Sequence, residues 1–470
     1  MNEEKDNYWD DDMSEAVQRF KSSLLSGNKK YFDVSEFEGI VDQLLEEGDL
    51  NSSEIAIQQG IQIHPNAVPL QLKYAQILIS KGKYNQAHQY LEFVERVEAN
   101  NPDVHLLKGS AWLIMGNETE ARKSFRKAVK YSEDETDEIL YHIGSAYIQI
   151  GEIPKAISYL ERALRYNPNN DLVLYDLAFF LDQIGDYEKS IEYYNRFIDN
   201  DPYNYTAWFN LGVVFNKADM HDEAIEAYEF TLAINENFHT ALFNIGNALA
   251  NANRFEEAVA KYKEFLKVEP DNDDAYCYIG ECFLNLEDNL KSEYYYQKAI
   301  RINPENDTAW FGIGLIMWIE GKYDEGVVFI RKAIKLDKQN SEYWLTLGKV
   351  YNDAEQKEEA IKAFKQGAKV DPENSEIWLT WAEVHKNFGE SDKAIQIIKQ
   401  SIEKNDDSML KYRLVAFLLE DKNQKEAFAW LKIAMQQDFG NINYLFDIYP
   451  KSLKSKRLRK VVDEFRKGEK

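Results

Sequence analysis

From Val34 onward, apolar and polar positions follow a helical period in runs that come two to a unit. A turn bearing Gly or Asn separates the two runs, as at Gly151-Glu152, Gly185-Asp186 and Gly321-Lys322. The units keep time. Gly144, Gly212, Gly246, Gly280, Gly314 and Gly348 lie 68, 34, 34, 34 and 34 residues apart. Pro168, Pro202, Pro270, Pro304 and Pro372 are separated by 34, 68, 34 and 68. A fixed period in this range means one small structural unit copied along the chain. Proline cannot continue a helix, so each one closes a unit and opens the next.

The pattern predicts units that begin near Val34, Val68, Pro102, Asp137, Asp171, Tyr205, His239, Asp273, Asp307, Ser341, Ser375 and Met409. Nearly all are 34 residues long; the third holds one extra residue and the last is one short. Each unit reads as two antiparallel helices. In the first helix the clocked glycine, or Ala178 and Ala382 in two units, leaves little side chain where its partner crosses. In the second helix Ala87, Ala121, Ala156, Ala224, Ala258, Ala360 and Ala394 do the same, with Ser190, Ser292 and Gly326 elsewhere. Large residues surround these slots: Trp208, Trp310, Trp344 and Trp378 four before the glycine position, Tyr228 and Phe364 four after the alanine. Close approach of two helices needs this alternation of volume.

The tenth unit spells Trp344-x2-Leu347-Gly348-x2-Tyr351, then Ala360-x3-Phe364, then Pro372. That is the signature of the tetratricopeptide repeat. The sixth nearly matches, with Trp208, Leu211, Gly212, Phe215, Ala224 and Tyr228. The chain resembles this family over roughly residues 34 to 441, departing at Val41 and Ala75 in the glycine slot and at Ala427, one residue early. The resemblance implies an all-α superhelical solenoid of about twelve repeats.

The ends differ from the array. Residues 1–12 are acidic and polar, and are expected to be disordered. Met13, Val17, Phe20 and Leu24 share one helical face, so 13–33 reads as an N-terminal capping helix. In 442–470, Leu458, Val461, Val462 and Phe465 share a face within a basic stretch, as a C-terminal cap requires.

Charge and composition narrow the function. The balance of 56 basic and 81 acidic residues gives a net charge of −25, which disfavours nucleic acid and anionic membranes as partners. No stretch approaches the ~20 apolar residues of a membrane span, and the start lacks the form of a signal peptide. A cytoplasmic location is expected. Cys277 and Cys282 lie five apart without CxxC spacing and read as reduced packing thiols. The seven histidines are scattered, and no HExxH, GxSxG or phosphate-loop motif occurs. Neither enzyme activity, metal nor cofactor is expected.

Binding remains, and the resemblance implies where. In this family the first helices line an inner concave wall, and the residue one place after the Trp slot faces it. Here that row reads Tyr141, Tyr175, Phe209, Phe243, Cys277, Phe311, Leu345 and Leu379. Such rings would hold an extended peptide by its apolar side chains, or pack between neighbouring helices. Asn210 and Asn244 follow the row 34 apart, and Asn244, Asn247 and Asn251 lie on one stripe of one helix. A carboxamide suits an unpaired peptide backbone because it both donates and accepts. The pair is similar to the asparagine ladder of O-GlcNAc transferase repeats, matched at those two positions alone. Further along, Asp274 with Glu281 and Glu376 with Glu383 are i, i+7 pairs, and Glu342 adds a third point, so a basic segment would be attracted. The family's basic clamp for acidic chaperone tails is not matched, since Lys217, Lys349 and Lys386 are scattered.

The expected function is therefore a non-catalytic scaffold that binds a peptide segment or partner protein, of basic character, in the concave groove. The alternatives are a self-associating structural subunit, such as a homodimer, and an accessory subunit presenting a substrate to a separate enzyme.

Overall fold

The computed structural model describes residues 15–25 and 30–468. Segment 1–12 and Met13, on which the disorder and part of the N-terminal cap were expected, lie outside the described residues. Among the described residues there is no strand, and helices follow one another in antiparallel pairs. First helices begin at Val34, Val68, Pro102, Thr136, Asp171, Tyr205, Thr240, Asp273, Asp307, Ser341, Ser375 and Ser408, each at or within one residue of the expected start. We number the repeats 1 to 12 in that order. The extra residue of the third is absorbed by a 3-10 turn, Glu133–Glu135. The chain divides after Asn235 into two compact units, the first holding repeats 1 to 6 and the second repeats 7 to 12.

The proline clock turns out to sit inside a double fastening. Two residues after each clocked proline, Asn170, Asn204, Asn272, Asn306 and Asn374 accept backbone N–H groups at the start of the next first helix. Such a cap is worth about 0.5–2 kcal/mol. The signature tryptophans close the same loop from the other side. Trp208, Trp310 and Trp378 donate Nε1–H to the carbonyls of Pro202, Pro304 and Pro372, each at 2.9 Å. Trp344 does so to Lys338 at 3.2 Å. A large apolar residue with one polar atom is what this corner requires, because the loop carbonyl would otherwise lose its partner.

Inside each pair the small slots meet large rings. A Cβ on Gly348 would lie 2.4 Å from the Phe364 ring, and one on Gly246 2.5 Å from the Tyr262 ring. Both rings are fully buried. Where serine fills the second-helix slot it also bonds across: Ser190 donates to the Ala178 carbonyl and Ser292 to the Gly280 carbonyl, both at 2.7 Å. The turn within each pair places one residue at positive φ. Glycine or Asn253 holds that position in most repeats, but Asp219, Glu287, Glu355 and Lys422 hold it in the others, at φ 58 to 61°.

The ends of the array are covered. Val17 and Phe20 of the helix 15–25 are buried in one cluster with Phe32, just before repeat 1, and Phe37 within it. At the other end Leu458 and Val462 of Lys456–Gly468 are buried, and Phe465 stacks on Phe439 at 5.5 Å. Lys456, Arg457, Arg459, Lys460 and Arg466 of that helix are exposed. Cys277 and Cys282 are both buried and unbridged, and burial pushes the Cys282 thiol up to about 12, so it remains protonated.

Two stability changes follow. Gly246→Ala would drive Tyr262 from its seat and lower the unfolding free energy by ~1–3 kcal/mol. Glu355→Gly would relieve a left-handed backbone and raise it by ~0.5–1 kcal/mol, the strain relieved less the extra chain entropy of glycine. Urea unfolding of the full chain, followed by circular dichroism, measures both; equal midpoints for wild type and Gly246→Ala would show that the slot tolerates a methyl group.

Candidate functional site: the wall of first helices

First helices of adjacent repeats touch within each unit, and polar side chains bridge them at a spacing of 35 residues. The Tyr141 hydroxyl donates to Asp176 Oδ2 at 2.9 Å, and Asn210 Nδ2 donates to the Tyr175 hydroxyl at 2.6 Å. Lys217 reaches Asp182 at 2.7 Å. In the second unit Trp318 Nε1 donates to Asp353 at 2.9 Å. The one-residue excess over the repeat length places each donor beside the next position on its neighbour. Burial raises the Asp176 carboxyl and, with Asp176 close by, the Tyr141 hydroxyl, as expected for groups moved out of water.

Rings of the predicted row lean onto the following second helix. Tyr175 packs on Tyr194 and Phe197, at 5.8 and 5.4 Å between ring centres. Phe209 meets Tyr228 at 5.5 Å. Phe243 meets Tyr262 at 5.6 Å and Tyr278 at 5.4 Å. These rings and Tyr141 are half-buried, whereas Phe311 is buried against Tyr343 and Cys277 is buried too. The asparagines divide in the same way. Asn247 accepts from the Tyr262 hydroxyl at 2.7 Å and reaches Asn244 at 3.4 Å. Asn210 is held by Tyr175 as above, and Asn251 is exposed at the end of its helix.

The acidic positions separate into two groups. Glu376 is bound by Lys349 at 2.7 Å and Glu383 by Arg413 at 2.8 Å, so their charges are answered within the protein. Asp274 and Glu281 lie on either side of the exposed Tyr278, and Asp274 accepts from Asn306 at 3.3 Å. The Glu281 carboxyl is raised, first by the protein around it and then by Glu342. Lys386 pairs with Glu420 at 3.2 Å, so none of the three scattered cations stands alone. Among the described residues no group of His, Cys, Asp and Glu is arranged to hold a metal ion, and no helix is long and apolar enough to cross a membrane.

One opening on this wall lies where the sequence drew no attention. A groove of about 660 Å³ runs across the first helices of repeats 1 to 4, within the first unit. Val68, Leu72, Leu106, Leu107 and Ala146 make its apolar floor. Gln76, Ser110, Ser145 and Gln149 put amides and hydroxyls along it, and Glu38, Glu98 and Asp103 place carboxylates at its edge. The available signal was the row itself: shifted back by one repeat length at a time, it passes from Tyr141 through Leu106 and Leu72 to Glu38.

Three family models, each described as tetratricopeptide repeat, match this chain. One covers residues 141–205, 181–234 and 243–307, a second 44–111, 317–378 and 352–416, and a third 102–135. No curated protein matches. Among solved structures, the MamA protein shares 24% identity at a TM-score of 0.35, over 36% of this chain and 93% of that one. Yeast Tom70 shares 12% at 0.45, over 89% and 98%. The APC/C hetero-tetramer Cut9–Hcn1 shares 12% at 0.39, over 80% and 95%. With family matches spread from residue 44 to residue 416, and the packing slots and loop tryptophans that the signature requires, the chain belongs to the tetratricopeptide repeat family.

Proposed function

We propose that this protein is a non-catalytic scaffold that holds a peptide segment or a partner protein against its first-helix wall. Residues 34–441 would form the binding array, with 13–33 and 442–470 as its caps. The groove over repeats 1 to 4 carries the reading: it joins an apolar floor to a line of amides and hydroxyls, the combination an extended backbone with apolar side chains needs. Elsewhere on the wall Tyr141, Tyr175, Phe209, Phe243 and Phe311 would contribute ring edges, and Asn210, Asn244, Asn247 and Asn251 amide contacts. Asp274 and Glu281 would draw basic groups; Glu376 and Glu383 would do so only by exchanging Lys349 and Arg413 for a partner's cation. For the paired residues, recognition would therefore cost about what each internal bond is worth, ~0.2–1 kcal/mol for these surface ion pairs.

A displayed peptide library selected on the full chain tests this. Ser110→Trp fills the groove from repeat 3, while Lys123→Glu alters the exposed second helix of the same repeat. Peptides selected by the wild type should lose at least about tenfold in affinity for Ser110→Trp, ~1.4 kcal/mol or more, and keep it for Lys123→Glu. The reverse ranking would move the binding face to the second helices.

Raising salt should weaken binding of basic peptides if the open carboxylates take part, because exposed charge pairs are screened within ~10 Å at ordinary ionic strength. A flat response in the same titration would remove Asp274 and Glu281 from the contact.

A further inference from the structure

One side chain in the groove breaks the rule of its position. In the first unit the site one repeat length apart carries Leu72, Leu106, Tyr141, Tyr175 and Phe209, all of them apolar or aromatic. In repeat 1 it carries Glu38. This carboxylate is half-buried, lines the groove, and has no hydrogen bond or ion pair among the described residues. Lys73, whose charge acts on Glu38 through space, forms its ion pair with Asp42. The last repeat offers the comparison. There the same position is Arg413, and it is fully engaged, with Glu383 at 2.8 Å and the Tyr444 hydroxyl at 2.8 Å. A charge moved out of water is costly until it is paired, so the internal partner that Arg413 has and Glu38 lacks marks an open valence in the wall.

Resting on the groove reading above, we propose that the groove over repeats 1 to 4 takes an extended peptide segment bearing a lysine or arginine whose cation pairs with Glu38. The apolar floor, beginning one helix away at Leu72, would take the neighbouring side chains. Glu98 and Asp103 at the edge add to the negative field and form no ion pair with a Lys or Arg among the described residues. His142, on the repeat 4 side, is the groove's other ionisable base beside Lys73. Burial raises the Glu38 carboxyl, which Lys73 only partly offsets, and an incoming cation would lower it again.

The probes are fluorescein-labelled nonapeptide pools with a central lysine, norleucine or glutamate and flanks drawn from apolar residues and serine. Anisotropy titrations use the full chain. The lysine pool should bind at least about tenfold more tightly than the glutamate pool, as a charge-assisted pair in a half-buried site allows. Glu38→Gln should bring the two within about twofold while leaving the norleucine pool unchanged, and Glu38→Asp, which keeps the charge, should retain the preference. A lysine preference that survives Glu38→Gln overturns the assignment to Glu38, as does an equal loss for all three pools. Ser110→Trp separates the two readings. If it abolishes binding of every pool and the pools show no charge preference, the groove stands and the cation does not; if it changes nothing, the groove itself is the wrong site.

Discussion

Everything in this molecule hangs on two helices crossing where neither has a side chain to spare. At Gly348 and Gly246 the first helix offers bare backbone, and the second lays Phe364 or Tyr262 across it. The ring gains full burial, and the helices come close enough for Ser190 and Ser292 to bond across the crossing at 2.7 Å. Close packing of this kind leaves little freedom in angle. Once that angle is set, the loop has one way round, which is why the proline, the capping asparagine and the indole donor recur together at the same corner.

A repeated crossing also repeats its surface. Each position on a first helix meets the equivalent position of its neighbour, displaced by one residue, and the side chains of the wall are spent accordingly. Tyr141 with Asp176 and Tyr175 with Asn210 stiffen the wall by joining one repeat to the next. Carboxylates such as Glu38 and Asp274 stand outside these bridges and form no ion pair among the described residues. Stiffness matters to binding scaffolds in general, because a surface already in its bound form spends less of its contact energy on being ordered.

Non-glycine residues at left-handed turns show that the array is not optimised throughout. Glu287, Glu355 and Lys422 sit at φ 58 to 61° where seven other repeats use glycine. The neighbouring crossings hold those turns closed, so local strain persists under tertiary control.

Period, helix starts and packing slots were legible in the residues, because each is a local steric demand repeated at fixed spacing. A glycine needed at a crossing is needed at every copy of it, and a proline that stops one helix stops them all. The pairing of Glu376 with Lys349, the use of Asn210 and Asn247 to hold tyrosines, and the groove across repeats 1 to 4 were not. Residues 27, 35 or 15 apart meet only when the crossing angle and the offset between helices bring them together. A period announces that helices stack; only the stack itself decides which charges are left over.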